Sequence, residues 1–353
     1  MLAETVDAVI GIDTHRDSHE VEIADPAGKP LAVMRIGNDS AGFTRLLAAI
    51  AEVVPGPRVA VCIEGSRSYG IGLARALAAA GLLVLECEQP ARRQRRGKGK
   101  SDAIDAHLAV LAALRLDAGR LPVPRADGDR EALRILLVAR QEMTEGCTVQ
   151  ASRLRALLLA GDDTDRRAAR ATLSGKALAR LAGREIPAQA SREQAVRQAE
   201  IGRLALALSQ ARSQLKDNRA QLLAIVEDIA PGLTSRYGVG PVSAAQAIVS
   251  FSHPGRCRSE AAYAALGGTS PLPASSGQTV RHRLNRGGDR ALNRAIHAIA
   301  VTRTRSCPRT RAYLARRTAE GKTPREIRRC LKRYIARELY RQLTRSMNPP
   351  VGP

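Results

Sequence analysis

The order of short apolar runs over residues 8 to 116 constrains this chain more than any other feature. Ala8 to Ile12 (AVIGI) reads as a short buried strand, and His19 to Ile23 alternates in polarity and can pair with it. Pro30 to Ile36 reads as a third strand, so the domain opens as a meander. Ser40 to Val53 is a predicted helix, with Ser40 as its N-cap and Leu46, Leu47 and Ile50 on its apolar face. Arg58 to Ile63 (RVAVCI) is a buried strand, Tyr69 to Ala80 a helix stopped by Gly81, and Leu82 to Leu85 another strand. The run Ala91 to Lys100 carries six cations in ten residues, Arg92, Arg93, Arg95, Arg96, Lys98 and Lys100. Ser101 to Leu116 is again helical.

Three strands followed by helix, strand, helix, strand, helix is the order of an RNase H-like α/β fold. Acids sit at its punctuation points. Asp13 follows the first strand, Glu64 follows RVAVCI, and Asp102 and Asp105 open the last helix. A spacing of three puts those two aspartates on one helical face. Acids at the ends of adjacent parallel strands converge on one sheet edge. Four carboxylates gathered there repel unless a cation sits among them. Hard oxygen donors suit Mg²⁺ or Mn²⁺, and a pair of such ions about 4 Å apart can assist phosphoryl transfer. Taken singly each acid has an ordinary explanation: a turn residue, an arginine partner, a helix cap or a solvated side chain.

Pro122 and Pro124 mark a boundary. Asp129 to Leu159 is helical, and Ser191 to Ile229 is a second long helix with a seven-residue rhythm. Its seam runs through Ile201, Leu204, Leu208, Ala211, Leu215, Asn218, Leu222, Ile225 and Ile229, with Asn218 as the one polar member. A helical hairpin, a dimerising coiled coil and an ordinary bundle all fit that pattern. From Gly232 the chain holds a Gly-x-Gly-Pro turn (Gly238, Gly240) opening an Ala-rich helix, then a Gly- and Ser-rich loop, then at least two basic helices. Such a turn either brings backbone close to a phosphate or simply joins two helices.

The net charge is +22, and Gly277 to Arg345 alone holds 20 Lys or Arg against four acids. A surplus so concentrated points to a polyanionic partner, nucleic acid before an anionic membrane. No apolar run approaches the roughly 20 residues that span a bilayer, and no signal peptide opens the chain, so a cytoplasmic protein with no membrane role is expected. The six cysteines show no CxxC spacing and support neither a zinc site nor a disulfide framework. With two Phe, six Tyr and no Trp, the composition argues against base-stacking platforms and for recognition of backbone and shape.

Three segments, GIDTHRD (Gly11 to Asp17), IEGSRSYG (Ile63 to Gly70) and KSDAIDA (Lys100 to Ala106), resemble the acid motifs of the DEDD insertion-sequence transposases, the one-ten family. The stretch Tyr263 to Gly288, with Gly pairs flanking a Ser-Gly and basic residues, is similar to the C-terminal domain of the same family. The resemblance spans nearly the whole chain in order. It implies an α/β RNase H-like (RuvC-like) N-terminal domain over 1–122, a helical coiled-coil middle over 123–230 and a mainly α C-terminal transposase domain over 231–353. It also implies a tetrad of Asp13, Glu64, Asp102 and Asp105 that binds Mg²⁺ or Mn²⁺, and a nucleophilic serine at Ser276, with Ser275 next to it as the other choice. Arg281, Arg283 and Arg286 would hold the phosphate. His15, Asp17 and His19 match no tetrad position and read as surface or supporting residues. The implied activity is DNA strand transfer through a phosphoserine link by a homo-oligomer, dimer or tetramer, acting on donor and target DNA with a structured guide RNA. A metal-dependent Holliday-junction resolvase or nuclease is the alternative.

Overall fold

The computed structural model describes residues 1–87, 102–119, 121–273, 282–283, 285 and 287–347, and of Asp102, Ala103 and His282 the backbone alone. The chain forms two compact units, the first Met1–Glu131 with Phe251–Tyr263, the second Ala132–Ser250 with Ala264–Pro353.

The first unit is built on a five-stranded sheet. Its strands are β1 (Ala8–Thr14), β2 (Ser18–Ala24), β3 (Pro30–Gly37), β4 (Val59–Glu64) and β5 (Leu83–Cys87), in the order β3-β2-β1-β4-β5. β1, β2 and β3 pair antiparallel, while β4 joins β1 and β5 joins β4 in parallel. Pleating divides the sheet into two faces. On one, Ile10, Ile12, Val21, Ile23, Val61 and Ile63 form a core with α1 (Ser40–Val53) and α2 (Ile71–Ala79). On the other, Val9, Ala24, Ala60, Cys62, Leu85 and Cys87 pack against α3 (Asp102–Leu114) through Ala109, Val110, Ala113 and Leu114. The cap of α1 is Asp39, not Ser40. Asp39 is extended, and its carboxylate accepts the Gly42 N–H, while Ser40 is already helical.

α3 lies unusually close to the sheet because of Gly11. A Cβ there would come 2.2 Å from the Ala106 carbonyl oxygen and 2.7 Å from the Val110 nitrogen. The end of α3 returns to the start of the chain, where the Leu2 N–H donates to the Leu116 carbonyl at 2.8 Å. The helix therefore runs antiparallel along β1, with its first turn toward the C-terminal end of that strand.

One buried ion pair fastens the segment after α3. Arg125 binds both carboxylate oxygens of Glu86, and Arg67 reaches the same carboxylate at 3.0 Å. Burial alone would raise the Glu86 carboxyl, but Arg125 and Arg67 bring it below its ordinary value. A depressed folded value means the stabilisation is complete above the ordinary carboxylate range near pH 4.3 and is lost as pH falls through the folded value. Glu86→Gln is expected to cost about 3–5 kcal/mol, because two cations lose their buried partner, and to flatten the acid limb of the stability curve. Urea melts between pH 3 and pH 7 read both effects, and an unchanged midpoint would remove the pair from the stabilising set.

The second unit is helical. α4 (Gly128–Leu159) enters it from the first, and is followed by α5 (Asp163–Arg170), α6 (Gly175–Ala182) and α7 (Arg192–Ile229). Ser191 caps α7 in a capping box with Gln194. Leu154 and Leu158 of α4, Leu178 and Leu181 of α6, and Ile201, Leu204 and Leu208 of α7 share one core. Farther along α7, buried Asn218 donates to the Leu136 carbonyl at 2.9 Å and accepts from Arg140 at 3.3 Å. The seam thus packs against α4 of its own chain, as an intrachain helical pair. α8 (Pro241–Phe251) and α9 (Glu260–Leu266) lead to a hairpin of β6 (Leu272–Pro273) and β7 (His282–Arg283), then α10 (Arg290–Ser306), α11 (Pro308–Ala319) and α12 (Pro324–Met347).

Candidate functional site

The register at the C-terminal edge of the sheet sets five residues in a row. Ile12 pairs with Ile63, so Asp13 stands beside Glu64 on parallel strands. Asp13 pairs across with Glu20, Glu20 with Arg35, and Glu64 with Cys87. Neighbours in a row share a face, so Arg35, Glu20, Asp13, Glu64 and Cys87 cross all five strands on the α3 side. Asp13 and Glu64 are buried, 8% and 9% exposed. The two strand ends are also tied through backbone. The Thr14 hydroxyl donates to the Glu64 carbonyl at 2.7 Å. Gly65, at φ +76°, turns the chain where a Cβ would strike the Thr14 hydroxyl oxygen at 2.5 Å.

α3 carries Asp105 on the same face, four residues before Ala109. Ala106, Ala109 and Ala113 form its buried stripe, and Asp102 and Asp105 continue that stripe one turn earlier at spacings of four. The Asp105 side chain is half-buried, and that of Asp102 lies outside the described residues. Among the described side chains, no three His, Cys, Asp or Glu groups converge closely enough to hold an ion.

The surrounding groups decide which donors are available. His15 Nε2 lies 3.5 Å from Asp13 Oδ2, so His15 is a neighbour of the first acid. Glu20 is 3.4 Å from Arg35, and Glu22 meets His107 of α3 at 2.7 Å. Cys62 shares a hydrogen bond with Cys87, and that bond and burial push its thiol well up. A thiol kept protonated is a poor soft-metal ligand, so the edge offers hard carboxylate oxygen, the donor set of Mg²⁺ and Mn²⁺. His19 is not a surface residue. It is fully buried on the opposite face, stacked on Phe43 with ring centroids 6.3 Å apart, and burial holds its imidazole below its usual value. Asp17 is exposed and paired with Arg16 at 2.8 Å.

Sequence reasoning overlooked Glu20, Glu22 and His107. The alternation of His19 to Ala24 held the signal for the first two, since Glu20 and Glu22 share a parity. Only the hairpin register reveals that the parity is that of Asp13.

The remaining expected positions fall in several places. Arg92, Arg93, Arg95, Arg96, Lys98, Lys100, Ser275, Ser276, Arg281 and Arg286 lie outside the described residues. Arg283 is exposed on β7. Ser275 and Ser276 belong to the connection between β6 and β7, whose ends are joined by the Pro273–His282 pairing. The root of that hairpin is an interlock of glycines. Gly288, at φ +85°, has the Leu266 carbonyl oxygen 2.2 Å from where a Cβ would be. Asp289 then caps α10, accepts from Ser250 at 2.6 Å and donates its own N–H to Leu266. Gly238, at φ +77°, packs on α10, and the Gly240 N–H donates to the Ser243 hydroxyl at 3.0 Å. Gly240 also lines a cavity of about 570 Å³ with Arg140, Arg219 and Arg294.

A family model described as a transposase, of DEDD type, matches residues 10–160, and one described as the transposase IS116/IS110/IS902 family matches residues 230–315. The chain is 26% identical over 369 residues to an uncharacterized 43.6 kDa protein of insertion element IS110 from Streptomyces coelicolor, covering 91% of this chain and 90% of that one. No helix among the described residues is long and apolar enough to cross a membrane. With both halves matched in order and a relative aligned almost end to end, the chain belongs to the IS116/IS110/IS902 family of insertion-element transposases.

Proposed function

We propose that the first unit is an RNase H-like (RuvC-like) nuclease domain whose Asp13, Glu64, Asp102 and Asp105 hold a divalent metal, and that Ser276 is the nucleophile of a strand-transfer reaction. The observation that carries this reading is the placement of buried Asp13 beside buried Glu64 at two parallel strand ends. Two adjacent buried carboxylates are costly to hold without a cation. The donor chemistry fits Mg²⁺ or Mn²⁺, which when bound would stabilise charge on the phosphate and on the departing oxygen. The four acids would hold the metal, and the phosphodiester would be oriented through it. The Ser276 oxygen bonds to phosphorus as the P–O bond to one strand end breaks, and the serine proton ends on the released hydroxyl. A P–O bond replaces a P–O bond, so rejoining is the reverse step with a new strand end.

The basic positions then bind polynucleotide backbone. Arg92, Arg93, Arg95, Arg96, Lys98 and Lys100 border the acids in sequence, and Arg281, Arg283 and Arg286 surround the serine. In the second unit, Gly240 with Arg140, Arg219 and Arg294 lines a basic cavity at the start of α8. A guide RNA and a homo-oligomer remain part of the reading through family resemblance. Since the α7 seam packs on its own α4, assembly would use another surface or an exchange of these helices between copies.

The discriminating test is the covalent adduct. Purified protein incubated with Mg²⁺, RNA transcribed from its locus and end-labelled donor DNA should yield a denaturant-resistant protein–DNA species. Ser276→Ala should abolish it and Ser275→Ala should not. An adduct that survives in Ser276→Ala and vanishes in Ser275→Ala moves the nucleophile by one residue. Cleavage without any adduct gives the water-hydrolysing nuclease reading instead.

A further inference from the structure

In the second unit a cavity of about 960 Å³ opens between the turn before α8 and the helices α10, α11 and α12. Three tyrosines line it: Tyr237, Tyr313 of α11 and Tyr334 of α12. The chain has only eight aromatic residues, two Phe and six Tyr, so three at one cavity is a concentration that composition alone conceals. Tyr237 and Tyr334 are 47% and 52% exposed. Tyr313 and Tyr334 meet edge to face, with centroids 5.9 Å apart. Arg316, also in the wall, lies 5.6 Å from the Tyr313 centroid, and Arg337 lies 5.9 Å from that of Tyr334.

The charge of the wall is as informative as its rings. Its one acid, Glu338, is engaged by Arg303 at 2.8 Å and approached by Arg236 at 3.9 Å. Arg309, in the first turn of α11, is exposed and has no ion-pair partner among the described residues. Arg316 shares only a long, exposed contact with Glu320 at 3.8 Å, so exposed rings beside Arg309 and Arg316 suit a ligand with both a π-face and a negative charge. Duplex nucleic acid does not offer that combination, because its bases are stacked inside and only phosphate and groove edges face out. An unpaired nucleotide offers both, and base–tyrosine stacking with arginine at the phosphate is the chemistry of single-strand recognition. The volume is near the top of the roughly 300–1,000 Å³ range of ligand pockets, which leaves room for one or two nucleotides.

We infer that this cavity binds an unpaired nucleotide, its base against Tyr313 and Tyr334 and its phosphate at Arg309 and Arg316. The inference rests on the reading that this family member handles nucleic acid, and it adds a specific single-strand subsite that neither the acids nor the serine would provide. The source can be a DNA end freed during strand transfer or an unpaired stretch of RNA, and the chemistry is common to both.

Fluorescein-labelled oligothymidylate and oligouridylate of about 15 nucleotides, titrated with full-length protein without Mg²⁺, test it by anisotropy, with a duplex of equal length as control. Tyr313→Ala and Tyr334→Ala should each weaken single-strand binding by about fivefold to a hundredfold and leave duplex binding within about twofold. Tyr313→Phe and Tyr334→Phe keep the ring and should keep the affinity, which guards against loss through misfolding. The stronger of the two oligomers identifies the source. Equal single-strand affinity in the alanine variants, parallel loss on the duplex, or failure of the phenylalanine variants to hold affinity would each overturn the inference. No cleavage is read and no Mg²⁺ is present, so the outcome depends on neither the metal site nor the serine. A failure of the catalytic reading is therefore distinguishable from a failure of this one.

Discussion

Asp13→Asn protein is expected to lose strand cleavage by at least about a hundredfold to a thousandfold while keeping its fold. The fold should survive because the substitution is nearly isosteric and relieves charge in a row that already holds Glu20 and Glu64. In metal-free buffer its melting temperature should therefore equal or exceed that of the parent. Added Mg²⁺ separates the two proteins. A ligand present at a hundred times its dissociation constant stabilises the native state by about 2.7 kcal/mol, so the parent should melt higher with Mg²⁺ and Asp13→Asn should not. Glu64→Gln should behave in the same way. An unaltered Mg²⁺ shift in Asp13→Asn, or cleavage at the parental rate, would take Asp13 out of the metal site.

The second large effect is expected from Gly11→Ala, a change of one methyl group. That methyl has nowhere to go: the Ala106 carbonyl oxygen would be 2.2 Å away and the Val110 side chain 2.8 Å. The cheapest response is for α3 to move outward along the edge that carries Asp102 and Asp105. Overpacking of this kind costs about 1–3 kcal/mol and sometimes more, or roughly 3–10 °C in melting temperature for a unit of this size. Cleavage should fall further than stability explains, because the acids of α3 are displaced from those of the sheet. The check is to measure both at a temperature where the variant is fully folded. Parental activity there would mean that the close approach of α3 serves packing alone.

Much of this was readable from the amino-acid order, for physical reasons that differ by element. β1 through β5 were legible because short apolar runs with few alternatives bury well only as strands. The start of α7 was legible to one residue, because Ser191, read as the first residue of the helix, is its cap in a local pair with Gln194. α5 and α6 were not. Each is eight residues long, too short for a periodicity to emerge from a polar stretch. The true cap of α1 was missed because Asp39 and Ser40 are both good caps, and only the backbone angles choose between them. At the candidate site, Asp13 and Glu64 could be found from strand ends, whereas Glu20 required the register of a hairpin and His107 the seating of a helix. Tyr313 and Tyr334 stand 21 positions apart in sequence on different helices, and no local pattern joins them.

The route of the chain through its two units has a practical and an evolutionary consequence. Phe251–Tyr263, late in the sequence, folds with the first unit, where the rings of Phe251 and Tyr263 meet edge to face at 6.1 Å. The sheet and its acids are therefore not a cassette. A fragment ending after α7 would lack a piece of its own interior, and a chimaera that exchanged only the N-terminal half would graft a foreign plug into it. Two halves threaded in this way are inherited together, so substitutions in Phe251–Tyr263 are answerable to the first unit although they lie within the second half of the sequence.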